Sequence, residues 1–253
     1  MRICLLTEES IETYNPEKYF QNYEWNLVTV ETPVFEFLRD LSSRKQYDVY
    51  LNLFEGMDDD DSGLNLVRAL ERLNLPFTGA DSKFYNPTRE QMQAIAEANG
   101  INFAKGFNAK TGDDLIHARQ LTFPLIVKHP NSYASTGLIS ESKVNSFDEL
   151  KTQFERLLKD FGSARVEEFI EGGEVSCLVA DNPDDLSSPY AYSPAEVIFP
   201  EGESFMHEQV KWFNWDTFIV PLKNQALLKP IQDVSKKMYL AMDGRGYARL
   251  ICV

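Results

Sequence analysis

Residues 123–138, FPLIVKHPNSYASTGL, join an apolar stretch, a lysine, a proline turn and a run of small, hydroxylated residues. The apolar stretch reads as a strand that delivers Lys128 at its end. Beyond Pro130, a loop from Asn131 to Gly137 can lay backbone N–H groups and the hydroxyls of Ser132, Ser135 and Thr136 over phosphates, while Lys128 supplies a point charge. Taken alone, the segment reads equally as an ordinary serine-rich loop with Lys128 ending a strand in solvent. Further along, VEEFIEGGE (residues 166–174) brings a strand to two carboxylates, two apolar residues, a turn and another carboxylate at Glu174. A nucleotide base needs an apolar slot with backbone donors and acceptors, and its ribose needs a fixed carboxylate. Phe169, Ile170 and Glu174 are of the right types for both. Singly, Glu167 and Glu168 read as a solvated strand end and His129 as a turn residue beside Pro130.

The elements that must position these residues follow from periodicity. Residues 2–6 and 47–54 read as buried strands, with a helix over 32–41 between them that sets Val34, Leu38 and Leu41 on one face. Leu66, Leu70 and Leu73 recur at helical spacing over 64–73, before Pro76. Pro87 suits a first helical turn, with Asn86 or Thr88 as cap, and that helix runs to Asn99-Gly100. Ser146 and Glu149 form a capping box ahead of a helix whose apolar face is Leu150, Phe154, Leu157 and Phe161, closed by Gly162. Strands are expected over 164–170, 175–179 and 195–199, and a helix from near Pro230. GYARLICV then reads as a terminal buried strand. The alternation indicates an α/β protein.

The acidic run 58–61 is better read as a solvated loop feeding acid to a helix N-terminus than as a metal site, because four adjacent carboxylates cannot all turn toward one ion. Net charge is −14 with no dense basic stretch, which argues against nucleic-acid binding and means that an anionic ligand needs a local cationic pocket. Cys4, Cys177 and Cys252 share no metal-type spacing with one another or with His117, His129 and His207, and read as buried thiols of a reducing compartment. The opening MRICLLTEES is too short an apolar run for a signal peptide or a membrane span, so no membrane association and a cytoplasmic location are expected.

Taken in order, NLFEG, LNLPFTGA, the lysine strand with its serine loop, VEEFIEGGE, FPEGESF with the following lysine, and GYAR resemble the ATP-grasp superfamily, and within it the D-alanine–D-alanine ligase-like group. The resemblance implies an ATP-grasp fold, α/β with an α+β nucleotide-binding part, behind an N-terminal Rossmann-like domain. The implied division is 1–85, 86–170 and an incomplete 171–253. It further implies that Lys128 contacts phosphate and adenine, that residues 132–137 cover the phosphates, that Glu167, Glu168, Phe169 and Ile170 form the adenine hinge, and that Glu174 holds the ribose. Arg89 stands where the family has a phosphate-contacting lysine. Lys211 is similar to the lysine that reaches the terminal phosphates, and Arg249 to the arginine at the acyl phosphate.

The implied activity is ATP-dependent joining of a carboxylate to an amine through an acyl phosphate, on a small amino acid or a dipeptide-like substrate, with homodimers frequent in the family. Magnesium is expected, yet the family's aspartate after GYAR corresponds to Ile251 and its other ligands lie beyond Val253. Near the N-terminus, Glu8 or Glu9 stands in for the family's substrate-contacting glutamate, and Glu55 occupies a histidine position. Three readings follow: an active ligase, a degenerate protein that binds nucleotide without catalysis, and an interaction protein that keeps only the fold.

Overall fold

In the computed structural model, residues 1–8, 16–56, 61–131, 133–213 and 217–253 are described. The chain divides into two units, one of Met1–Asn86 with Asp243–Ala248 and one of Pro87–Met242 with Arg249–Val253.

In the first unit, β1 (Arg2–Thr7) is followed by α1 (Pro16–Phe20), β2 (Glu24–Thr29), α2 (Val34–Arg44), β3 (Val49–Asn52) and α3 (Ser62–Arg72). Among the described residues the sheet has the order β2-β1-β3, all parallel. The central strand β1 is buried from Ile3 to Thr7, as a parallel strand covered on both faces should be. Cys4 and Leu6 pack with Val34 and Leu38 of α2 and with Leu66 and Leu70 of α3, so the expected helix faces do form the core. Burial pushes the Cys4 thiol up to about 12. Sequence periodicity missed β2, whose run EWNLVT opens on a charge and nowhere becomes fully buried.

Among its described residues the second unit holds two sheets. It begins with α4 (Arg89–Ala98), β4 (Gly106–Ala109), a 3₁₀ helix over Gly112–Gln120, β5 (Leu125–Lys128), a short 3₁₀ turn at Ser140–Ser142, β6 (Lys143–Val144), α5 (Phe147–Phe161) and β7 (Ala164–Glu168). Strands order as β4-β7-β5-β6, antiparallel. Thr88 caps α4 in a full capping box with Gln91. Ser146 accepts from Glu149 N–H to cap α5, whereas the Glu149 carboxylate turns to Asn145 N–H, one residue short of the reciprocal box. Leu150, Phe154 and Leu157 of α5 press on Leu125, Val127, Ala164 and Val166, filling one face of this sheet.

The remainder comprises β8 (Val175–Ala180), β9 (Tyr190–Ala191), β10 (Ala195–Ile198), α6 (Glu208–Phe213), β11 (Phe218–Pro221), α7 (Gln225–Ala241) and β12 (Tyr247–Cys252). The sheet runs β11-β10-β8-β12, with β9 on β8. Two expectations are corrected here. First, α7 starts at Gln225, capped by the Asn224 side chain on Ala226 N–H, and contains Pro230; proline's preference for a first turn misplaced the start. Second, β12 is not a buried strand: it lies at the sheet edge and alternates, with Tyr247, Arg249 and Ile251 exposed. Leu250 on its other side joins Ala96, Ile101, Met238 and Met92 in a small apolar cluster. Cys252 is half-buried rather than buried. No helix among the described residues is long and apolar enough to cross a membrane.

Candidate functional site

Alternation along the antiparallel strands sorts side chains onto two faces. Because Ala164, Val166, Leu125 and Val127 take the α5 side, Arg165 and Glu167 of β7 and Ile126 and Lys128 of β5 share the other. Gly106 and Asn108 of β4 complete that face, paired with Glu167 and Arg165. Here the Lys128 ammonium meets Glu167 Oε2, and Arg165 Nε donates to Glu167 Oε1 at 2.9 Å. Arg165 Nη2 donates in turn to Gln93 Oε1 of α4. Glu167 is 4% and Arg165 1% exposed, so this ionic group lies inside the fold.

The electrostatics follow from that burial. Desolvation pushes the Lys128 ammonium below the usual lysine value, the Arg89 and Arg165 cations push the same way, and Glu167 opposes them. For Glu167, burial works to raise the carboxyl, but Lys128 and Arg165 outweigh it and hold it below the usual glutamate value. The charges bearing on Lys128 are thus one carboxylate and two guanidinium groups, a local positive excess in a chain of net charge −14. Such a setting attracts an anion.

The serine loop leaves β5 through His129, whose Nδ1 accepts from Asn131 N–H at 3.1 Å and whose ring meets Phe161 edge-on. Ser132 lies outside the described residues. Ala134, Ser135 and Gly137 have φ of 59°, 67° and 71°, a left-handed stretch that is strained for the two non-glycine residues. At Gly137 a Cβ would also come within 2.8 Å of the Phe161 ring. Ser135 Oγ donates to Met206 O at 2.7 Å and Thr136 Oγ1 to Tyr133 O at 3.0 Å. Tyr133 OH donates to Pro87 O, just ahead of α4.

The hinge residues separate by side. Glu168 points away from Glu167 and accepts Thr122 N–H at 2.9 Å, so it does not join the Lys128 group. Phe169 N–H donates to Pro124 O, its ring packs on Phe205, and Lys143 Nζ stands 4.0 Å over it. Ile170 is 46% exposed. Glu174 belongs to a second group: burial pushes its carboxyl up, while Arg249 and Lys211 pull it down. Lys211, on α6, also sits 4.9 Å from the Trp212 ring centre. In the first unit, Glu8 Oε1 accepts from Glu55 and Gly56 N–H at 3.1 and 2.6 Å, which ties that carboxylate to the β3 loop; Glu9 lies outside the described residues.

The structure therefore gathers Arg89, Lys128 and Glu167 in one group and Glu174, Lys211 and Arg249 in another. Sequence reasoning missed Arg165, Gln93 and Lys143. Arg165 was within reach, since a residue two before Glu167 in a strand must share its face. Gly106 is a second overlooked necessity: a Cβ there would fall 2.5 Å from Val166 O and 2.6 Å from Glu167 Cγ. Gly106→Ala is expected to cost about 1–3 kcal/mol by overpacking. Thermal denaturation checks this against Gly112→Ala, where a Cβ meets nothing within 4 Å.

A polyphosphate fits the cations around Lys128. Among the described residues there is no group of three His, Cys, Asp or Glu that could hold a metal ion. Ile251, 55% exposed, occupies the position two beyond Arg249 on the same side of β12.

The fold and the family both have counterparts among known proteins. The fold is shared with a D-alanine–D-alanine ligase of Bacillus anthracis, with a TM-score of 0.73, 21% identity, and coverage of 99% of this chain and 82% of that one. The same enzyme complexed with ATP gives 0.70 at 19% identity, covering 99% and 80%. These likenesses show that the chain shares their α/β fold. Residues 95–252 match the family described as "D-ala D-ala ligase C-terminus", and the chain belongs to that family. A D-alanine–D-alanine ligase of Clostridium beijerinckii is 26% identical over 228 residues, 82% of this chain and 70% of that protein. Across eight curated relatives the chain spans 52% to 70% of their length.

Proposed function

We propose that the chain acts as an ATP-dependent ligase of the D-alanine–D-alanine type, joining the carboxylate of one small amino acid to the amine of another through an acyl phosphate. The observation that carries this reading is the Lys128 ammonium clasped by buried Glu167 on the sheet face that α4 adjoins. Family membership and the ATP complex of a structural neighbour support it. ATP supplies the phosphoryl group. Lys128 and Arg89 bind the polyphosphate as cations, and residues 135–137 cover it. Phe169 and Ile170 hold the base through an apolar side chain and backbone groups, and Glu174 the ribose hydroxyls. Lys211 and Arg249 neutralise charge that develops as oxygen attacks phosphorus, because phosphoryl transfer depends on positioning and charge more than on a general base. The free thiols of Cys4, Cys177 and Cys252 suit the reducing cytoplasm, where ATP is found.

Ile251 favours a second reading, in which nucleotide is held without turnover, since β12 offers an apolar side chain where the family resemblance implies a metal-binding carboxylate. Phosphate release from magnesium-ATP, with and without D-alanine, separates the two. Release that D-alanine stimulates supports the ligase. An ATP-induced rise in Tm without any release supports the binding protein, and neither effect overturns both readings.

A further inference from the structure

Arg165 is the least expected member of the buried ionic group. It is 1% exposed, stands directly across the strand pair from Lys128, and places a second cation beside an ammonium already pushed down by burial. Its neighbours on the opposite face, Ala164 and Val166, show what a purely structural position in this strand carries. A guanidinium has a planar fork that a point charge lacks. Arg165 uses both sides of it: Nε fixes Glu167 Oε1, leaving Oε2 for Lys128, and Nη2 fixes Gln93. Gln93 lies one turn after Arg89 on α4, so the same bond sets how that helix is rotated over the sheet.

We propose that Arg165 is a positioning residue: through Glu167 and Gln93 it sets where the Lys128 and Arg89 cations stand to receive a nucleotide phosphate. The ligand part rests on the nucleotide reading above. The hold on Lys128 does not.

The test uses the full chain and four proteins: wild type, Arg165→Met, Arg165→Lys and Gln93→Met. In ligand-free samples the Lys128 Nζ and Cε resonances, assigned by their disappearance in Lys128→Arg, report the ammonium's surroundings. ATP titration gives Kd. Arg165→Met is expected to move the Lys128 resonances and weaken ATP binding about tenfold, the size of one lost charge-assisted hydrogen bond. Gln93→Met, which keeps the Arg165–Glu167 pair, should weaken it by a smaller factor, and Arg165→Lys should recover part of the affinity. Lys128 resonances that stay in place in Arg165→Met, or an ATP Kd within about twofold of wild type, overturn the proposal. If Arg165→Met does not fold, Arg165→Lys decides: Lys128 resonances that stay in place in that variant overturn the proposal. A wild type that does not bind ATP overturns the nucleotide reading and the ligand part with it, while the resonances still decide whether Arg165 holds the pair.

Discussion

Replacing Lys128 with alanine is expected to weaken ATP binding about a hundredfold, the loss of one or more charge-assisted contacts, and to lower stability at the same time. Glu167, 4% exposed, would keep Arg165 but lose its second cation. Removing one partner of a buried ion pair costs about 3–5 kcal/mol when nothing else compensates. With Arg165 retained, about 2–3 kcal/mol is expected, or roughly 4–12 °C in Tm for a chain of this size. The pH dependence has a definite sign. Because the folded Glu167 carboxyl is held below its unfolded value, its contribution is full above the ordinary glutamate pKa of about 4.3 and is lost as pH falls through the folded value. Without Lys128 the folded value rises, so that loss should be complete at a higher pH. Thermal denaturation across an acid series, with ATP titration at neutral pH, reads both effects. A lowered Tm with unchanged ATP affinity would reduce Lys128 to a structural ion.

Phe154→Ala is expected to give the largest loss of stability, about 3–5 kcal/mol. Phe154 is 1% exposed at the middle of α5, against Leu125, Val127, Ala164 and Val166. Truncation leaves a cavity under the strands whose other face carries Lys128, Arg165 and Glu167. Denaturant unfolding should show a lower midpoint at similar slope. Affinity for ATP in the folded fraction should fall far less than in Lys128→Ala, because no cation is removed. Equal losses in the two variants would mean that the site depends on core packing more than on charge.

Helices α4 and α5 were legible because their ends carry local chemistry. Thr88 caps α4, Ser146 caps α5, and Gly162 takes the left-handed conformation that closes α5. The central strands were legible from their apolar runs. What escaped notice was settled by tertiary neighbours. The polar edge strand β2 gains its place from the register with β1, and β12 alternates because only one of its sides is covered. Within the site, Lys128 and Glu167 could be named from their order, but their contact depends on a register that sets Lys128 opposite Arg165. Arg165 went unnoticed because an arginine in a strand reads as solvent-facing until the strand is known to be interior.

The small cluster beneath α4 has a mechanical consequence. Arg89, Met92, Gln93 and Ala96 form one stripe along that helix; Gln93 is tied to Arg165, whereas Met92 and Ala96 belong to the apolar cluster that also takes in Leu250, the residue after Arg249. One rod thus holds Arg165, which stands across the strand pair from Lys128, and shares a cluster with the neighbour of Arg249 on β12. A tilt that relieved crowding at one end would drag the other, so the two halves of the charge cradle should shift as a linked pair.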